Sequence, residues 1–410
     1  MSSPPSEPGV RRISPTAVAS GSVGFAVAIL VVALNLRPAV AGVGPVLNTL
    51  RHSLGLSSTG ASVLTAAPVF AFGAMAPAGP WLARRIGLHR TIMLLAVLVL
   101  AGLVVRLGPD VGTLFTGTLI AASAIAAANV LLPVVIKRDF PARTGLLMGL
   151  YTTALVGSGA AAAGLSVPVG DAIGHGWRGE LGIWAVLAAV GVVMWAPYTR
   201  HDSRTVVVVD TEESVARLRH DPLAWTVTLF FGLQSLSFYA VLSWLPSLYQ
   251  DHGYSAGAAG GLLSLSGLVQ IPAALVLPSI ATRMARQELL VVGCVLFTAG
   301  GLAGILIAPT TAAALWVVIL GIGQGAAFAV ALSLLVLRTR AHGSTAQLSS
   351  MAQSIGYLIA GLGPLLVGAL HAATNSWRDP FILLLALLVP ELVTGLRAAA
   401  PGYIRTTAAS

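Results

Sequence analysis

Long apolar runs, separated by short polar stretches, recur from one end of the chain to the other. Twelve are legible, over residues 20–48, 57–82, 88–107, 111–136, 145–168, 180–198, 223–246, 257–281, 289–308, 313–337, 346–370 and 380–398. A helix needs roughly 20 apolar residues to cross a bilayer. The runs are continuous rather than alternating, which suits helices and not the strands of a membrane barrel. The pattern predicts an all-α membrane protein of twelve transmembrane helices.

The runs fall into two sets of six that repeat in the same order. Gly55-Leu-Ser57 precedes the second run, and Gly253-Tyr-Ser255 precedes the eighth at an offset of 198 residues. Pro80 and Pro278 open the stretches that follow those runs, at the same offset. Trp177-Arg178 returns as Trp377-Arg378, 200 residues on. Parallel repeats of six spans are a transporter architecture, with the solute site between the halves near the midplane. The expected organisation is a disordered cytoplasmic tail over 1–19, an N-terminal six-helix bundle over 20–198, a cytoplasmic linker over 199–222, a C-terminal six-helix bundle over 223–398 and a cytoplasmic tail over 399–410.

Composition and charge sharpen this picture. Of 410 residues, 56% are apolar and 9% charged, against about 25% charged in soluble domains, so lipid must be the solvent for much of the surface. A net charge of +9 would suggest nucleic acid in a soluble protein. Here 18 of the 23 lysines and arginines fall on the side that holds both termini and 4 on the other. That bias predicts cytoplasmic termini in a bacterial-type cytoplasmic (inner) membrane and leaves nucleic acid without support. The single cysteine, Cys294, lies in an apolar run and rules out a disulfide framework. No Cys/His cluster suggests a metal, and no cofactor is expected. A membrane-embedded enzyme would need a nucleophile elbow, zinc spacing or paired carboxylates near a span, and none is evident.

The loop after the second run carries Leu82, Ala83, Arg85, Gly87 and Arg90. It resembles the loop signature of the major facilitator superfamily, with Pro80 replacing its first glycine and Arg84 its aspartate. A narrower resemblance covers nearly the whole chain. Asn35-Leu-Arg-Pro38 with Gly44-Pro45, Asn129-Val-Leu-Leu-Pro133 with Lys137-Arg-Asp-Phe140, Gln234-Ser-Leu-Ser-Phe-Tyr239 with Trp244-Leu-Pro246, and Gln353-Ser-Ile-Gly-Tyr357 with Gly363-Pro364 are similar to the cyanate/nitroimidazole permease (CynX/NimT) family. The resemblance implies transport of a small anion such as cyanate, or export of a small heteroaromatic such as a nitroimidazole.

Arg37 is the sharpest single signal. It lies 14 residues from both Val23 and Arg51, about 21 Å along a helix from each and so near the midplane. A central arginine costs ~2.5–3.5 kcal/mol on insertion scales, and chains keep such residues inside a bundle or wet cavity. It would bind an anion through a planar fork of donors, or else tie the carbonyl that Pro38 frees at Leu34. The other substrate-binding candidates are uncharged: Asn129, Gln234, Tyr239, Gln270, Gln324, Gln353 and Tyr357. Each could instead bond a neighbouring helix. Asn35, two residues from Arg37, should point to another face unless Pro38 distorts the turn.

Of 14 acidic residues 13 fall in loops, tails or span ends and only Glu391 lies within a span, so a carboxylate-based proton relay has little support. Trp177 and Trp377 read as anchors at the outer interface. The function expected is a secondary transporter working by alternating access, monomeric, with a small solute and the lipid bilayer as its partners. The alternative is an exporter of a neutral compound, in which Arg37 would be structural.

Overall fold

The computed structural model describes residues 23–201, 218, 220–284, 286–339 and 342–404. The residues expected as an N-terminal tail, the end of the C-terminal tail and most of the linker lie outside the described residues.

Twelve helices among the described residues are long and apolar enough to cross a membrane. Spans two to six are Ser58–Met75, Leu88–Val105, Val111–Asp139, Thr144–Ile173 and Trp177–Trp195. Span seven is Pro222–Asp251, and span eight is split into Ala256–Leu268 and Gln270–Arg283. Spans nine to twelve are Glu288–Ile307, Ala313–Leu337, His342–Thr374 and Arg378–Ala399.

Span one departs from the continuous helix the sequence suggests. It is three pieces, Val23–Leu34, Pro38–Ala41 and Val43–Leu54. Pro38 has no N–H, and its ring would strike the carbonyl one turn back, so the helix stops at Leu34. Residues 35–37 form a turn, and a new helix starts with Pro38 in its first position, where the missing N–H costs nothing.

The internal repeat has a physical reason at the start of spans two and eight. Gly55 and Gly253 have φ of 64° and 90°, a region that side chains disfavour. Two residues later, the Ser57 hydroxyl accepts from Gly60 N–H and that of Ser255 from Ala258 N–H. Each Gly-x-Ser therefore ends one helix and caps the next. The repeat continues on the face where Val23 begins and Ala399 ends, hereafter the termini face. There the Arg138 guanidinium donates to His89 and, 200 residues on, that of Arg338 donates to Gln287. Arg338 also donates to the carbonyls of Ala398 and Ala399 at the end of span twelve. Cations at a helix C-terminus are favoured by its dipole.

The two halves meet closely on the opposite, far face. Asn48 Nδ2 donates to Gln250 Oε1 at 3.1 Å, and Gln250 Nε2 donates to the Pro45 carbonyl at 3.0 Å. A Cβ on Gly44 would sit 2.7 Å from the Leu242 carbonyl oxygen, so only glycine lets spans one and seven approach this far. Span eight differs between its two pieces. The far-face piece buries Ala259, Gly260, Leu263 and Ser266, whereas the termini-face piece buries only Ala281.

The tryptophans expected at the outer interface stand at the far-face ends of spans six and twelve, Trp177 buried and Trp377 half-buried. Trp177 is only 4% exposed. The Trp377 indole donates to Asp251 at 2.9 Å and stacks on His371 at 3.9 Å.

Candidate functional site

The break in span one decides which way its polar residues point. Asn35 turns into the first half, where its amide donates to Val31 and Leu187 carbonyls at 2.8 and 3.3 Å. Arg37 stands just before the Pro38 helix and makes no capping bond. Its guanidinium donates to the Tyr239 hydroxyl on span seven at 3.0 Å. The carbonyl of Ala39, just beyond the break, is tied by another arginine. Arg106 is fully buried and donates to Ala39 and Leu181 carbonyls at 2.9 and 3.2 Å. Nothing in the sequence distinguished Arg106 from an outer-loop residue, because it stands at the end of its apolar run.

A cavity of about 80 Å³ opens between the halves around Arg37. Six of the eight residues singled out from the sequence line it: Arg37, Gln234, Tyr239, Gln270, Gln324 and Tyr357. Asn129 and Gln353 are not among the lining residues. Gln353 donates to Ser349 at 2.8 Å on its own helix. Asn129 accepts from the Tyr151 hydroxyl at 3.2 Å. Tyr151, Tyr239 and Tyr357 all lie within electrostatic reach of the Arg37 guanidinium. Tyr151 escaped the sequence reading although it is the one aromatic residue of span five, and that isolation was the available signal. Ser235 and Ser266 also line the cavity and escaped too, since serines are common in these spans.

Packing fixes the aromatic wall. Tyr357 meets Phe231 and Phe72 edge-on, with centroids 5.4 and 5.8 Å apart, and Tyr239 at 6.2 Å. Edge-to-face contacts of this kind add about 0.5–1.5 kcal/mol each and hold the hydroxyls in place. Two of the three carboxamides are engaged locally. Gln234 Nε2 donates to the Phe231 carbonyl and Gln270 Nε2 to the Ser266 carbonyl. Gln324 is 4% exposed, and its amide nitrogen has no partner among the described residues.

The arrangement offers one fixed positive charge, phenol hydroxyls and amides in a largely apolar chamber. Such a chamber holds a small hydrogen-bond acceptor by charge and shape. Glu391, 2% exposed in span twelve, is not among the residues that line it.

Comparison with known proteins follows the same lines. The family model of the Major Facilitator Superfamily matches residues 22–361. The chain is 36% identical over 377 residues to an uncharacterized transporter, YycB, of Bacillus subtilis (strain 168), covering 92% of this chain and 93% of that one. It is 33% identical to the 2-nitroimidazole transporter of Escherichia coli (strain K12), covering 92% and 95%. It is 32% identical to the cyanate transport protein CynX of the same organism, covering 85% and 90%. Among solved structures, a bacterial homolog of the human lysosomal transporter Spinster in an inward-facing, unoccupied conformation superposes with a TM-score of 0.75 at 16% identity, over 94% of this chain and 98% of that one.

Proposed function

The chain belongs to the major facilitator superfamily, the multi-pass membrane transporters of small solutes, and from that premise we propose that it carries a small anion, with cyanate as the type, by alternating access. The observation that carries this reading is Arg37. A guanidinium at the midplane is expensive, and here it reaches into the cavity rather than to the backbone carbonyls of its own broken helix. Size agrees. A cavity of about 80 Å³ suits a solute of a few atoms, whereas benzene occupies one of about 150 Å³. The 32% identity to a cyanate transport protein supports the same class. In this reading the termini are cytoplasmic, the membrane is a bacterial cytoplasmic membrane, and the protein works as a monomer without catalysing a reaction.

A second reading is export of a small heteroaromatic. The aromatic wall of Phe238, Tyr239, Phe328 and Tyr357 and the 33% identity to a 2-nitroimidazole transporter favour it. The cavity would then have to widen.

Uptake into proteoliposomes separates the two. Cyanate, azide and thiocyanate should be carried and should compete with one another. Transport of 2-nitroimidazole that none of these anions inhibits would overturn the anion reading.

A further inference from the structure

The unpartnered amide of Gln324 gives the cavity a second pole, on the half of the molecule that does not carry Arg37. Of the three cavity carboxamides, two spend a donor on a carbonyl of their own span, and Gln324 spends none among the described residues. A buried donor left without a partner is destabilising, so an apolar side chain here would fold more easily. Gln324 also has little freedom to seek a partner elsewhere. A Cβ on Gly323 would lie 2.4 Å from Thr298 N, and one on Gly325 would lie 2.7 Å from Gln270 Cβ. Span ten is thus pressed against spans nine and eight on either side of Gln324, which pins its backbone at the cavity wall. The terminal torsion of a glutamine is broad. A half-turn exchanges nitrogen for oxygen and brings the donors to the cavity without moving the helix.

We infer that Gln324 is the specificity residue of the solute site, donating to the end of the anion away from Arg37, so that the cargo is a small elongated anion with an acceptor at both ends. This rests on the anion reading above. Azide, thiocyanate and cyanate have that form. Acetate matches them in charge but ends in a methyl group, which leaves the amide unpartnered. Sites built to hydrogen-bond a group reject analogues that lack it. A solute of the right form also touches both halves at once, through Arg37 and through Gln324.

The test is the affinity of the purified full-length chain for azide, thiocyanate and acetate, together with its melting temperature, in wild type, Gln324→Leu, Gln324→Glu and Arg37→Ala. Gln324→Leu should weaken azide and thiocyanate roughly tenfold, the worth of one charge-assisted hydrogen bond, and leave acetate unchanged. Its unliganded melting temperature should equal or exceed wild type, since an unsatisfied amide has gone. Gln324→Glu keeps the shape but opposes an anion, and should weaken azide further than Gln324→Leu does. Equal loss for all three anions, a clear fall in the melting temperature of Gln324→Leu, or unchanged azide affinity in Gln324→Glu would overturn the assignment while the anion reading stands. Absence of anion binding in wild type, or intact binding in Arg37→Ala, would overturn the anion reading and this inference with it.

Discussion

The two halves of the chain furnish the cavity in opposite ways. Among its lining residues the first half supplies Arg37 and otherwise only small or aliphatic side chains, such as Val40, Leu155 and Ala163. The second half supplies seven uncharged hydrogen-bonding residues and no charge. The supporting helices differ as well. Arg37 sits at a break in span one, whereas Gln234 and Tyr239 lie within the unbroken Pro222–Asp251 helix of span seven. Duplication has kept the scaffold, visible in the Gly-x-Ser caps and the Arg138 and Arg338 contacts, and divergence has split the chemistry. A charge placed on one side and amides on the other reward a solute that contacts both.

The largest effect should come from forcing the halves apart. Gly44→Leu places a side chain against the Leu242 carbonyl, and overpacking of this kind costs about 1–3 kcal/mol. That corresponds to a shift in population of about fivefold to a hundredfold away from the sealed far face. Transport should fall accordingly, and a cysteine introduced at Asn48 should label faster with a polar thiol reagent. Normal transport and slow labelling would show that the seal lies elsewhere.

Smaller effects should be the same in both halves. Gly55→Ala and Gly253→Ala force a side chain into a left-handed backbone and should each cost about 1–2 kcal/mol. Ser57→Ala and Ser255→Ala remove matching caps and should each cost about 1 kcal/mol. Melting temperatures of the four variants, taken pairwise, check this. A cap that matters in one half alone would break the equivalence of the scaffolds. The smallest change is expected from Glu391→Gln, which alters a buried carboxyl away from the cavity lining. Gradient-driven transport in proteoliposomes should stay near the wild-type rate, and its loss would give span twelve a direct role.

Much of this was readable from residues alone, because the bilayer enforces simple rules. Span number follows from hydropathy, and the parallel repeat follows from the offsets between motifs. Six of eight candidate side chains reach the cavity because a polar residue in an apolar span has few other places to go. The misses share one cause, which is that direction around a helix depends on partners remote in sequence. Asn129 and Gln353 bond Tyr151 and Ser349, and no local pattern announces those pairings. Arg106, one of the four cations counted on the side away from the termini, has distant carbonyl partners, Ala39 and Leu181, that leave no trace in the local sequence. Span one was read as continuous because an internal proline often only kinks a helix.

The central claim is that Arg37 binds the solute rather than the scaffold, and it is best tested with Arg37→Lys. Lysine keeps the charge but loses the planar fork. Charge-assisted hydrogen bonds contribute about 1.5–3 kcal/mol each, and roughly 1.4 kcal/mol is a factor of ten. Azide affinity and melting temperature should be measured on one purified sample of wild type and variant. Affinity should fall at least about tenfold while the melting temperature stays close to wild type. Unchanged affinity together with a lowered melting temperature would contradict the account and make Arg37 a structural residue.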